Sequence, residues 1–186
     1  MFKVILELLA HKQFRLEEGY ITLFDQYGLM IPVITLVEIQ KILEKNGKEN
    51  ILYYGAKRSG SEWIKRIFKL YKMDTIEDQV NWGEKTFTLS GNGKMKVVEW
   101  DIKKCKMIYR VYESAISKIY GKTNHPVDQI PRGWFAGASC VFFNKDVDAV
   151  ETKCLAMGDD FCEFLVQPRN KFDLKIKYIK KQLSPI

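Results

Sequence analysis

Histidine is the scarcest chemical resource of this chain. Two of the 186 residues are histidines, His11 and His125, which argues against a multi-histidine metal centre and against haem. Arginine is scarce as well: six arginines stand against 24 lysines. Nucleic-acid-binding surfaces cluster their charge and favour the bidentate guanidinium. Here the lysines are spread along the chain, with one local concentration in KFDLKIKYIKKQ. The net charge of +7 is therefore read as a solvated surface, and no nucleic-acid partner is expected. Apolar runs of the about eighteen residues that a transmembrane helix needs are missing. The opening MFKVILELLAHKQF is short, carries Glu7 in its apolar part and is followed by no small-residue cleavage site. No membrane insertion is expected, and the predicted location is cytoplasmic. Neither common glycine-rich nucleotide loop occurs, which excludes an ordinary NAD site. Internal repeats, low-complexity segments and Pro/Ser-rich linkers are also missing.

What is present is a globular composition. Apolar residues make up 46% of the chain and charged residues 28%, enough for one well-packed domain over residues 1–186. Four cysteines, Cys105, Cys140, Cys154 and Cys162, suit metal binding or burial better than disulfides in a reducing compartment.

The patterning predicts an α+β fold. FRLEEGYITLF, residues 14–24, reads as two short strands meeting at Glu18-Gly19. Thr35 and Glu38 have capping-box spacing and predict a helix from Thr35 through Leu43 that ends near Gly47. A second helix is predicted over Ile51–Tyr71, with Leu52, Ala56, Gly60, Trp63, Ile67 and Leu70 on one face. Gly55 and Gly60 each weaken an isolated helix by about 1 kcal/mol, and close approach of another backbone or a ligand is their expected compensation. Period-two alternation is read from residue 85 to 113, with a Ser-Gly-Asn-Gly turn inside it. Cys105, Met107, Tyr109 and Val111 fall on one face of the second strand. Residues 126–145 read as a loop turning into a helix with Gly133 and Gly137 four apart. Strands at 147–156 and 161–167 then form a hairpin, and a basic tail, 168–186, closes the chain. An N-terminal portion to residue 49, a body over 50–167 and this tail make up the expected organisation.

The hairpin, VETKCLAMGDDFCEFLV, carries the chemistry. Folding about Gly158 sets Cys154 opposite Cys162. Glu151, three residues before Cys154, points to the other face of a flat strand and joins the cysteines only if the strand bulges. Two thiolates and a carboxylate supply three of the four ligands that zinc requires. Two buried cysteines in a plain hairpin, or a cross-strand disulfide, are the alternatives.

Glu151, Cys154, Gly158, Asp159, Cys162 and Phe164, in the order Glu-x2-Cys-x3-Gly-Asp-x2-Cys-x-Phe, resemble the end of the 4-vinyl reductase (V4R) domain. Pro126-Val127-Asp128, Gly133-Trp-Phe-Ala-Gly137 and Leu52-Tyr53-Tyr54-Gly55-x4-Gly60 are similar to its other segments, so the likeness spans 50–167. The chain is similar to the free-standing archaeal members of that family. The resemblance implies a fold of the NO-signalling/Golgi-transport ligand-binding type, with helices packed on a twisted antiparallel sheet around an apolar cavity. It also implies a structural zinc held by Glu151, Cys154 and Cys162. A fourth ligand falls on Asp128, where the family has a cysteine, with His125 and Cys140 in reserve. With all four positions filled by protein, such a metal ties the segment at 126 to the hairpin and catalyses nothing. The haem-binding relatives need an axial histidine on a helix, and neither histidine lies in a matching context.

Two functions follow from the resemblance. The first is binding of a small apolar or aromatic molecule, with Met107, Tyr109 and Trp134 as candidate ligand-binding residues, signalling through a partner or a homodimer. The second is reduction of a vinyl group on a tetrapyrrole, which needs a hydride donor and its site; no dinucleotide fingerprint or acid–base set is evident, so binding is favoured over catalysis. An assembly or scaffold subunit is a third possibility.

Overall fold

The computed structural model of the chain describes residues 13–71, 73 and 75–185; His11 and the opening segment lie outside them. Two compact units divide after Pro32. In the first, β1 (Phe14–Glu17), β2 (Tyr20–Leu23) and β3 (Gln26–Gly28) form an antiparallel meander. Gly19 takes the positive φ (+86°) that the first turn requires. The two-residue Phe24-Asp25 turn is also left-handed, and Arg15 reaches across to Thr22 and Asp25.

The second unit, from Val33 onward, is built on an antiparallel sheet of order β4-β5-β7-β6. Its strands are β4 (Lys94–Asp101), β5 (Lys106–Tyr112), β6 (Asp148–Lys153) and β7 (Cys162–Gln167). Its helices are α1 (Val33–Lys45), α2 (Asn50–Tyr71), α3 (Ile76–Leu89), α4 (Ala115–Tyr120), α5 (Gln129–Phe143) and α6 (Lys177–Gln182). On β5 the alternation is as predicted: Met107, Tyr109 and Val111 are buried, while Ile108, Arg110 and Tyr112 are partly covered on the opposite face. On that outer face Arg110 bonds Glu163 of β7 at 2.8 Å and lies over the Phe161 ring.

Three predictions are corrected. Residues 85–89 belong to α3, not to a strand. Thr75, whose Oγ1 accepts from Asp78 N–H at 3.1 Å, is the N-cap that signals this helix. The first long helix starts at Val33, so Thr35 lies inside it rather than capping it. On α2, Ala56, Gly60 and Ile67 are buried as expected, but Leu70 is exposed and Tyr53 and Ile64 take inward positions.

α2 and α5 cross at close range. A Cβ at Gly137 would overlap Lys57 O and come within 2.8 Å of Ser61 N; one at Gly133 would overlap Tyr53 O and fall 2.6 Å from Ala56 Cβ. A Cβ at Gly60 would stand 3.1 Å from Trp134 Cα. The expected close approach thus holds at Gly60 and not at Gly55, where nothing lies within 4 Å. Gly137→Ala must push two helix backbones apart, so a loss of about 2–4 kcal/mol is expected. Gly55→Ala is expected to stabilise by up to about 1 kcal/mol. Denaturant melts of the pair check both signs.

Asp148, at the start of β6, is the polar pin of this layer. Its carboxylate accepts from Tyr53 Oη at 2.7 Å, Lys57 Nζ at 2.9 Å and Arg169 Nη1 at 3.1 Å. Tyr53 Oη in turn accepts Ala149 N–H at 3.1 Å. Burial pushes the Asp148 carboxyl up, but its hydrogen bonds and the Lys57 charge outweigh that and hold it below the ordinary value.

Candidate metal centre and aromatic interior

β6 bulges where the hairpin reading required it. Glu151 pairs with Phe164 and Lys153 with Glu163, so one residue, Thr152, is extra on the β6 side. The bulge brings Glu151 to the face that carries the cysteines. Cys154 lies just beyond the strand, and Gly158 (φ +101°) makes the turn. Asp159 accepts Cys154 N–H at 2.8 Å, which fixes the loop, and Cys162 opens β7. One ligand atom each from Glu151, Cys154 and Cys162 lies within 4.8 Å of the others, and all three residues are buried. All four cysteines are free thiols.

Asp128 stands beside this set and is fully buried. It precedes α5, where an aspartate commonly caps its own helix, yet its side chain makes no capping bond. Instead it accepts from Ser114 Oγ at 2.9 Å and Ser117 Oγ at 3.2 Å, while its N–H donates to Glu151 Oε2 at 2.9 Å. Ser117 Oγ also lies 3.4 Å from Cys154 Sγ and 3.3 Å from Cys162 Sγ, and Leu155 N–H donates to Cys162 Sγ at 3.3 Å. Neither serine was singled out from sequence; the Ser-x-x-Ser spacing at the head of α4 is the signal that was there. His125 is engaged with Thr123, Tyr120 and Glu44. Cys140 lies on α5 against Asp146 and Val147. Neither reserve residue joins the set.

Four acids in so small a dry space cannot all be charged at neutral pH without a cation. Burial pushes the Asp128 carboxyl up to about 6, and burial together with the neighbouring Asp128 and Cys154 charges pushes Glu151 well above its usual range. The contact between the sulfurs holds the Cys154 thiol low and the Cys162 thiol high. Glu151 Oε1 is buried and meets no hydrogen-bond donor, a state that costs about 1–3 kcal/mol if nothing else engages it. Two sulfurs and a free carboxylate oxygen, with the Leu155 N–H donating to one sulfur, fit a thiophilic divalent cation of the zinc type.

The candidate ligand-binding residues lie in the main core. Tyr109 stacks on Phe135 (centroids 4.4 Å, 8° between planes), and its hydroxyl meets Ser139 Oγ at 2.8 Å. Met107 is fully buried on the same strand, with its sulfur facing Ser139. Trp134 is half-buried and meets Phe87 of α3 edge-on, which in turn packs on Phe135. The three are thus linked through Phe135, Phe87 and Ser139. A separate surface cleft of about 590 Å³, between Lys57, Lys65, Cys140 and Asp146, includes none of them.

The phenol-responsive sensory domain of the transcription activator PoxR, solved with phenol, superposes with a TM-score of 0.78 at 16% identity, over 97% of this chain and 96% of that one. A vinyl-4-reductase family protein from Methanocaldococcus jannaschii gives 0.52 at 20% identity, over 75% and 83% of the two chains. A trafficking protein particle complex subunit 3 from Naegleria fowleri, covalently bound to palmitic acid, gives 0.52 at 15% identity, over 73% and 93%. At these identities the likeness shows the fold. Among curated protein sequences nothing matches. Within the chain, residues 107–168 match the V4R domain model, and every metal and ligand candidate lies inside that segment.

Proposed function

We propose that this chain is a small-molecule-binding sensor domain whose wall is closed by a structural zinc. The observation that carries the metal is the buried Glu151–Cys154–Cys162 set with its orphaned Glu151 Oε1. Glu151, Cys154 and Cys162 would hold the ion, with Asp128 as the fourth ligand once its carboxylate turns from the serines. When bound, the ion would supply charge neutralisation and cross-linking of α5 to the hairpin, with no open position for substrate.

For the ligand, support comes from the aromatic interior and from the near-complete superposition on a domain solved with phenol. Tyr109 and Ser139 form a polar pair inside a wall of Phe87, Phe135 and Phe164. An apolar wall with a few convergent polar groups is what a small aromatic molecule with one hydroxyl requires. Binding here needs no hydride donor and no acid–base pair, so the reading is a binding module rather than a reductase. A second copy is the partner we assign. Ile34, Ile39 and Ile42 leave an apolar outer face on α1 that is available to it.

Native mass spectrometry of the protein as isolated tests all three parts, since metal, retained ligand and chain number register together. One zinc per chain is expected, in a dimer. Titration with phenol, followed by tryptophan fluorescence and by calorimetry, is expected to saturate. Tyr109→Phe should weaken binding about tenfold, the worth of one lost hydrogen bond. No heat and no spectral change across the millimolar range would sink the aromatic-ligand reading and leave the zinc untouched.

A further inference from the structure

Among the described residues β6 is an edge strand, paired with β7 alone, so the outward N–H and C=O of Glu151 need partners from elsewhere. They find them in one side chain. Gln182, the last residue of α6, accepts Glu151 N–H on Oε1 at 2.8 Å and donates from Nε2 to Glu151 O at 3.0 Å. Its amide thus stands in for a further strand at the one residue of β6 whose carboxylate faces the cysteines. The Gln182 backbone does a second job. Its carbonyl accepts from Arg132 Nη1 at 2.7 Å, and the same nitrogen reaches Ala149 O at 3.1 Å. Arg132 is wholly buried, lies 3.8 Å from the Tyr53 ring centroid, and donates from Nη2 to Asn50 and Gln129. Its own N–H closes the first turn of α5 onto Asp128 O at 3.0 Å. Through Gln182 and Arg132, the two backbones that carry Asp128 and Glu151 are therefore joined at the C-terminal helix. Phe172, Ile179 and Leu183 hold that helix down on Val150, the neighbour of Glu151 on the opposite face of β6.

We infer that Gln182 is a positioning residue for the metal centre, and that docking of the C-terminal segment 172–185 and zinc binding are coupled. The inference rests on the zinc reading above. Metal holds Glu151 and Asp128 in the arrangement that Gln182 and Arg132 complete, so ion and helix each stabilise the seat of the other. Such coupling is reciprocal: whatever factor the helix adds to zinc affinity, zinc adds to helix docking.

Two measurements on the full chain test it. The first is competition for zinc against a chromophoric chelator at 25 °C, on protein shown by circular dichroism to be folded. Gln182→Ala is expected to weaken zinc binding about 10–100-fold, the usual effect of losing a group that orients a ligand. Lys181→Ala, in the same turn but paired with Glu49 at the surface, should leave affinity unchanged. The second uses the unmutated protein: hydrogen exchange over 172–185 is expected to slow at least about tenfold on adding zinc, with β4 and β5 unaffected. A Gln182→Ala protein that is less stable yet binds zinc as tightly as its parent has lost only a structural contact, and this overturns the inference. So does exchange at 172–185 that zinc leaves unchanged. If the unmutated protein takes up no zinc at all, the metal reading itself falls, and this inference with it.

Discussion

Cys162→Ser protein is expected to bind zinc at least about a hundredfold more weakly than its parent, and to melt at the temperature of the metal-free parent whether or not zinc is added. A serine hydroxyl does not ionise near neutral pH, so the substitution removes one of the two charged sulfurs and leaves the cation with too few anionic ligands. The loss should exceed that of any orienting residue, because the first contact with the ion is gone. For the parent, zinc at a hundred times its dissociation constant adds about 2.7 kcal/mol of stability. In a unit of this size that is worth roughly 5–10 °C in melting temperature, and a chelator should remove it. Cys154→Ser should behave as Cys162→Ser does. Cys140→Ser is the control, since that sulfur faces Asp146 and Val147 on another part of α5. Asp128→Asn separates ligand from bystander. It keeps the size of the side chain, with Oδ1 still accepting from Ser114 and the new N–H donating to Ser117 Oγ, so an unchanged affinity would assign the fourth position to another group. Equal zinc affinity in Cys162→Ser and the parent would remove the metal centre altogether.

The hairpin shows how far spacing alone carries. Glu151 sits on the wrong face of a flat strand, and that conflict was itself the information: the residue belongs to the set only through a bulge, and the bulge is there at Thr152. Local patterning also served at β5, where one face lies on the core and the period of two is clean. It failed at residues 85–89, because Thr86, Phe87 and Thr88 favour strands intrinsically while the Thr75 cap and the packing of Phe87 on Phe135 fix a helix. What could not be read from spacing is whatever depends on distant backbone. Gln182 is one polar residue in a lysine-rich tail, and only the sheet order reveals that it faces the open edge of Glu151. Arg132 interrupts the apolar run IPRGWFAG, a visible anomaly, but apart from Gln129 in its own helix its partners come from α2, β6 and α6, 17 to 82 residues away. Gly55 and Gly60 read alike in sequence and differ only because α5 crosses at one and not at the other.

Asp148→Ala should cost about 3–5 kcal/mol at neutral pH, the penalty for leaving buried charges without their partner. The carboxylate is nearly inaccessible, and its removal strips Tyr53 Oη of its acceptor and leaves Arg169 and Lys57 with one carboxylate fewer. Lys57 would keep Asp146, an exposed partner that water screens. The effect also has a defined pH dependence. Because the folded carboxyl lies below its ordinary value, its contribution is complete above the unfolded pKa of about 4 and is lost as the pH falls through the lower folded value. Lys57 is raised in the fold: burial lowers it, but its bonds to Asp146 and Asp148 outweigh that. Its contribution is complete below about pH 10 and fades as the pH climbs through the raised folded value. The difference in stability between parent and Asp148→Ala should therefore be flat from about pH 5 to 9 and narrow at both ends. Urea melts at pH 3, 7 and 10.5 read this directly. A difference that stayed constant down to pH 3 would mean that Asp148 acts by filling space and not by its charge. A difference under about 1 kcal/mol at pH 7 would mean that the bonds of Asp148 add little to the attachment of β6 to α2.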